Sequence, residues 1–192
     1  MPWRDIVGKG FTKEEFGDYV RTLTFGAWMP QFVVLHNTSS PTLVQYHGFQ
    51  ARGITGEQWL QNLVGYYRDQ MGWSAGPHLF VGDDKIWCFT PLTVPGTHSP
   101  SWNAISWGVE MVGEYDEEPF DPNVRDNAIA ALAALHLLRG LDPTSLRFHK
   151  EDPKTTHKNC PGKNVDKKDI IERVQSAMAA ASVGEHLPPR PA

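Results

Sequence analysis

The chain has very little cysteine: Cys88 and Cys160 are the only two in 192 residues. Two are too few for the disulfide framework of a small secreted domain. It has no apolar run long enough to span a bilayer, so membrane insertion is not expected. It has no surplus of basic charge: 18 Lys and Arg stand against 22 Asp and Glu, a net charge of −4. Without a basic patch, nucleic acid is excluded as an expected partner. Its first twenty residues, MPWRDIVGKGFTKEEFGDYV, place no apolar stretch behind the first charge, so no secretory signal is read. Synthesis in the cytoplasm is the expectation. No internal repeat and no linker divides the sequence.

What is present fits one globular domain. The hydrophobic fraction is 40%, enough for a core without staples. Thr12-Lys13-Glu14-Glu15 reads as a capping box opening a helix to about Thr22. QFVVLHN reads as a buried strand ending near His36, and TSSPTLVQYHG after it as a loop. Thr55-Gly56-Glu57-Gln58 opens a second helix. HLFVG and KIWCFT, parted by Gly82-Asp83-Asp84, read as a hairpin. PLTVPGTHSPSWN is a loop, ISWGVEMVG a strand, and NVRDNAIAALAALHLLRG an apolar helix closed by Gly140. A last helix opens near Asp166, and the Pro-rich tail from 184 to 192 is expected to be flexible. Strands alternating with helices give an α/β class, a central mixed sheet flanked by helices. The domain is taken as residues 1–183, with 1–30 as a helical extension packed on it.

Chemistry concentrates in RFHKEDPKTTHKNCPGKNV, residues 147–165. A cysteine that only packs prefers apolar surroundings, whereas Cys160 sits among Lys, Thr, His and Asn. Zinc takes imidazole nitrogen and thiolate sulfur, and a catalytic zinc keeps three protein ligands and an open position. His149 and Cys160 suit two of those ligands, and His36, at a strand end, is the best-placed third. The competing reading of each histidine is an ordinary hydrogen-bonded or exposed side chain. Glu110 lies inside an apolar strand, where a carboxylate is costly unless it faces a site; an outward face of a half-exposed strand is the alternative.

VVLHNTSS, GPHLFVGDDKIW, GTHSPSWNAISWGVEMVG and FHKEDPKTTHKNCPG occur in the order and contexts of one family. The chain resembles the zinc-dependent N-acetylmuramoyl-L-alanine amidases of the phage lysozyme-amidase and peptidoglycan recognition protein type, from about His36 to Gly162. The resemblance implies one zinc ion at one end of the sheet, held by His36, His149 and Cys160. It implies peptidoglycan as partner, cut at the amide joining N-acetylmuramic acid to L-alanine. It points to Glu110 as the proton-transfer carboxylate and Lys158 as the cation for the developing oxyanion, with His157 ranked second. Many members carry a tyrosine before the hairpin strand; here Pro77 stands in Gly76-Pro77-His78, which shifts weight onto Glu110. His78 is read as a strand residue. The loop holding His98, Trp102 and Asn103 resembles the family's groove wall. Those three, with Thr38, Ser39 and His157, are the expected substrate contacts; turn formation is the competing role for the Ser, Thr and Asn. His136 and Cys88 read as packed core residues.

A monomer is expected. Because HKEDPKTTHKNCPG looks most like phage and prophage amidases, wall lysis by an endolysin after release is the first expectation. A cytosolic enzyme recycling soluble muropeptides, a module that binds peptidoglycan without cutting it, and a different zinc peptidase are the alternatives.

Overall fold

Three helix starts in this chain are written as Thr-x-x-Glu/Gln. In the computed structural model, which describes residues 3–4 and 8–184, Thr12 caps α1 (Lys13–Arg21). Its hydroxyl accepts from the Glu15 N–H, while the Glu15 carboxylate accepts from the Thr12 N–H. Such a cap contributes about 1 kcal/mol. Thr55 caps α3 (Gly56–Asp69), its hydroxyl accepting from the Gln58 N–H. Between them, Thr42 and Gln45 form the same reciprocal box and open α2 (Leu43–Ala51). The segment from Thr38 to Gly48, expected to be a loop, is therefore helical in its second half. Asp121 caps α4 (Pro122–Arg139), which Gly140 closes. The last helix, α5, runs over Lys167–Gly184. It takes in the first residue of the expected tail; positions 185–192 lie outside the described residues.

The strands are β1 (Gly10–Phe11), β2 (Phe32–Asn37), β3 (Leu79–Val81), β4 (Ile86–Cys88), β5 (Ser106–Met111) and β6 (Arg147–Phe148). They form one sheet in the order β1-β4-β3-β5-β2-β6. The pairs β1–β4 and β3–β4 are antiparallel; β3–β5, β5–β2 and β2–β6 are parallel. The α/β class and mixed sheet are as the alternation implied. The N-terminal segment also adds a strand, β1, that its sequence did not announce.

Period-two alternation sorts the side chains between two faces. Val33 and Leu35 of β2, Leu79 and Val81 of β3, and Val109 and Met111 of β5 bury in one core with residues of α1, α4 and α5. Phe80 points the other way and packs with Tyr46, Trp59, Leu60 and Val64 of α2 and α3. Register places His36 opposite Glu110 and Glu110 opposite Phe80. These three residues therefore share the α2/α3 face in one row. At the Phe80 end that row is covered by the rings of Trp59 and Phe89, and all three residues line one cleft.

Candidate metal centre and active-site cleft

Strand register brings the two histidines together. Leu35 of β2 pairs with Phe148 of β6 in parallel, so His36 and His149 are each the next residue along neighbouring strands. Their ring centroids lie 4.3 Å apart. His149 begins a short 3-10 turn, His149–Glu151, and the chain then loops back. The Cys160 carbonyl accepts from the Lys150 N–H at 2.9 Å, and its sulfur accepts from the Asn37 N–H at 3.4 Å. Gly162 completes the return. Its φ is +110°, and a Cβ there would lie 2.5 Å from the Tyr115 backbone, so a side chain at this position would push the cysteine loop away.

One donor atom each from His36, His149 and Cys160 lies within 4.8 Å of the others. Tetrahedral zinc bonds of about 2.0–2.3 Å put donor atoms about 3.3–3.7 Å apart, so a small contraction of this set suffices. The donor chemistry fits zinc as well: two imidazoles and a thiol, with no fourth protein ligand in the group. Burial, then the neighbouring His98, His149 and His157 rings, hold His36 well below 6.5. Burial, then His157, lowers His149 to about 4. Both are thus neutral at pH 7, as ligands must be. Burial, then the Glu110 charge, pushes the Cys160 thiol up, so a metal must displace its proton.

These residues line a cleft of about 310 Å³, together with Asn37, Thr38, Ser39, His98, Glu110, His157 and an aromatic wall of Trp59, Tyr67 and Trp73. Glu110 is only partly exposed to the cleft, and burial raises its carboxyl to about 8. Among the described residues it has neither a hydrogen-bond nor an ion-pair partner. Tyr67, on α3, has its phenol raised by burial and then by the Glu110 charge. Its ring lies against Gly76: a Cβ there would meet Tyr67 Cε2 at 3.0 Å. A phenol from α3 thus stands beside the segment where Pro77 supplies none. Nothing local in the sequence marks Trp59, Tyr67 and Trp73 as a wall; they converge because α3 packs on Phe80 and Phe89.

The other expected site residues divide. His98 and His157 line the cleft. The Thr38 hydroxyl is spent on its own loop, donating to the Pro41 carbonyl and accepting from the Gly113 N–H. Ser39 is the one non-glycine among the described residues with positive φ, 56°, a strained backbone of the kind found at functional sites; its hydroxyl bonds the Glu114 carboxylate. Trp102 and Asn103 are not among the cleft's lining residues. Trp102 packs edge-on against Phe32, and Asn103 Oδ1 accepts from the N–H groups of His98 and Ser99, both at 2.7 Å. Lys158 is exposed in the adjoining depression with Glu114 and Asp116, which shares Asn37, Ser39, His157 and Cys160 with the cleft. His78 is buried: its Nδ1 accepts from the Gly108 N–H and its Nε2 donates to the Val94 carbonyl. His136 and Cys88 are core residues, and both cysteines are free.

The chain belongs to the N-acetylmuramoyl-L-alanine amidase family, whose model matches residues 27–163. That span contains the whole donor set and every residue lining the cleft. Peptidoglycan-recognition protein SC2 of Drosophila melanogaster is 27% identical over 138 residues, 70% of this chain and 69% of that protein. Among solved structures, the endolysin amidase LysCS of Clostridium intestinale superposes with a TM-score of 0.57 at 22% identity, over 80% of this chain and 92% of that one. Drosophila PGRP-SA gives 0.60 at 19% identity, over 78% and 82%. A point mutant of Drosophila PGRP-LB, solved in complex with tracheal cytotoxin, gives 0.59 at 19%, over 75% and 82%. At these identities the structures share the fold.

Proposed function

We propose that this protein is a zinc-dependent N-acetylmuramoyl-L-alanine amidase that hydrolyses the lactyl–alanine amide of peptidoglycan. The observation that carries the reading is the convergence of a His/His/Cys donor set and an unpartnered glutamate on one cleft. His36, His149 and Cys160 would hold the metal. When bound, zinc lowers the pKa of a water and polarises a carbonyl. Glu110 takes a proton from the attacking water and returns it to the departing alanine amine. A carboxyl near neutrality suits both transfers. Lys158, at the rim, reaches in to the developing oxyanion on its flexible stem. The phenol of Tyr67, which lines the same cleft as Glu110, supplies a second proton-bearing group, and the wall of Trp59 and Trp73 gives the muramyl peptide an apolar surface.

Peptidoglycan fragments as the ligand class are supported by the family and by a relative solved with tracheal cytotoxin. The role proposed for the cleavage is wall lysis, on the resemblance of residues 149–162 to phage and prophage amidases. Zinc-loaded protein should clear a suspension of peptidoglycan sacculi. Activity confined to soluble muropeptides would favour recycling, and binding without cleavage would make the protein a recognition module.

A further inference from the structure

We propose that His98 is a positioning residue that fixes the tautomer of His36, so that His36 offers Nδ1 to the metal. The inference rests on the metal reading above and replaces the substrate contact expected of His98.

His98 Nε2 lies 3.3 Å from the Ser106 carbonyl oxygen. A carbonyl only accepts, so Nε2 carries the hydrogen. The other nitrogen of a neutral imidazole is then an acceptor. That nitrogen, His98 Nδ1, lies 3.1 Å from His36 Nε2. His36 must therefore place its hydrogen on Nε2, which leaves the Nδ1 lone pair free. The two rings meet edge to face, 88° between planes, as an N–H directed at an in-plane lone pair allows. The chain of bonds runs from a backbone carbonyl of β5 through two imidazoles to the cleft. His149 lacks such an anchor: its Nε2 faces the Thr155 hydroxyl at 2.9 Å, and a hydroxyl can donate or accept.

Two features hold His98 in place. Asn103 Oδ1 accepts from its backbone N–H at 2.7 Å. Gly108 gives its ring room in the sheet: a Cβ there would lie 2.4 Å from His98 Cγ. The glycine inside the strand SWGVEM and the Asn of SPSWN thus share one task. With both ring nitrogens engaged inside the protein, His98 has none left for a substrate.

Partners that orient a metal-binding histidine typically change metal affinity about 10–100-fold. The test compares wild type with His98→Phe, which removes both bonds, and His98→Asn, whose side-chain oxygen can still accept from His36 Nε2–H. Zinc affinity is measured by competition with a chromophoric chelator, with thermal unfolding as the check on folding. Imidazole 15N spectra of the metal-free wild type report the His36 tautomer directly. The expected result is Nε2–H on His36, a loss of about 10–100-fold in affinity for His98→Phe, and recovery of most of it in His98→Asn. A folded His98→Phe variant within about threefold of wild type, below the range such partners produce, would overturn the proposal. So would a His36 ring protonated at Nδ1, a result that stands even if a variant fails to fold. A wild type that binds no zinc would sink the metal reading instead, and the tautomer measurement would still decide the His98 contact.

Discussion

Replacing Glu110 with glutamine should stabilise the metal-free protein, and increasingly so as pH rises. Burial holds the Glu110 carboxyl at about 8, against 4.5 for the unperturbed group. Between those values the folded state binds more protons than the unfolded state. A raised acid contributes its full stability below pH 4.5 and loses it as pH climbs through 8. At about 1.4 kcal/mol per tenfold change, the loss reaches about 4 kcal/mol by pH 8. Cleft water reaches the partly exposed carboxylate and lowers this, so the gap between Glu110→Gln and wild type should widen by about 2–3 kcal/mol from about pH 5 to pH 8. Urea unfolding in the presence of a chelator, at a series of pH values, measures it. Zinc should narrow the gap, because a cation in the cleft lets the carboxylate ionise. A gap that stays constant with pH would refute the reasoning, for it would mean Glu110 titrates like a solvated carboxylate.

Cys160→Ser should lose most of its zinc in metal analysis while keeping its fold, since the sulfur has only one weak bond from Asn37; full occupancy would remove the sulfur from the ligand set. Lys158→Ala should retain zinc yet lower turnover by about 10²–10³, the usual cost of an oxyanion donor. Tyr67→Phe, compared across pH, should cost less than Glu110→Gln, because the phenol assists a transfer that the carboxylate performs. Asp152 accepts from the Ser99 hydroxyl and the N–H groups of Ser101 and Lys154, tying the His98 loop to the His149 loop. Desolvation opposes its charge, but hydrogen bonds from Ser101 and Ser99 outweigh it and lower the carboxyl to about 2. Asp152→Ala should therefore destabilise the fold by about 1–3 kcal/mol in urea unfolding at neutral pH.

Local signals carry much of this architecture. The box at Thr12, the cap at Thr55, the apolar α4 with its terminal glycine, and the hairpin about Asp83 each declare themselves within a few residues. The same box at Thr42 is masked because Ser39, Ser40 and Pro41 before it look like a loop, and its apolar residues Leu43, Val44, Tyr46 and Phe49 do not gather on one helix face. Strands β1 and β6 are two residues long, too short to show a period. Yet β6 sets the register that brings His149 beside His36. The donor set is legible because His36, His149 and Cys160 match one family's pattern. The roles of His98, Asn103 and Tyr67 are not. They depend on which way a ring turns and what packs against it, and that is settled by the close approach of Gly108, by Asp152 and by the seat of α3.

Mass spectrometry of purified peptidoglycan digested with the zinc-loaded protein tests the amidase assignment most directly. The expected products are intact glycan strands bearing free lactyl carboxylates, and stem peptides released with a new L-alanine amino terminus. Cleavage between stem-peptide residues, or bound but uncut peptidoglycan in the presence of zinc, would contradict it.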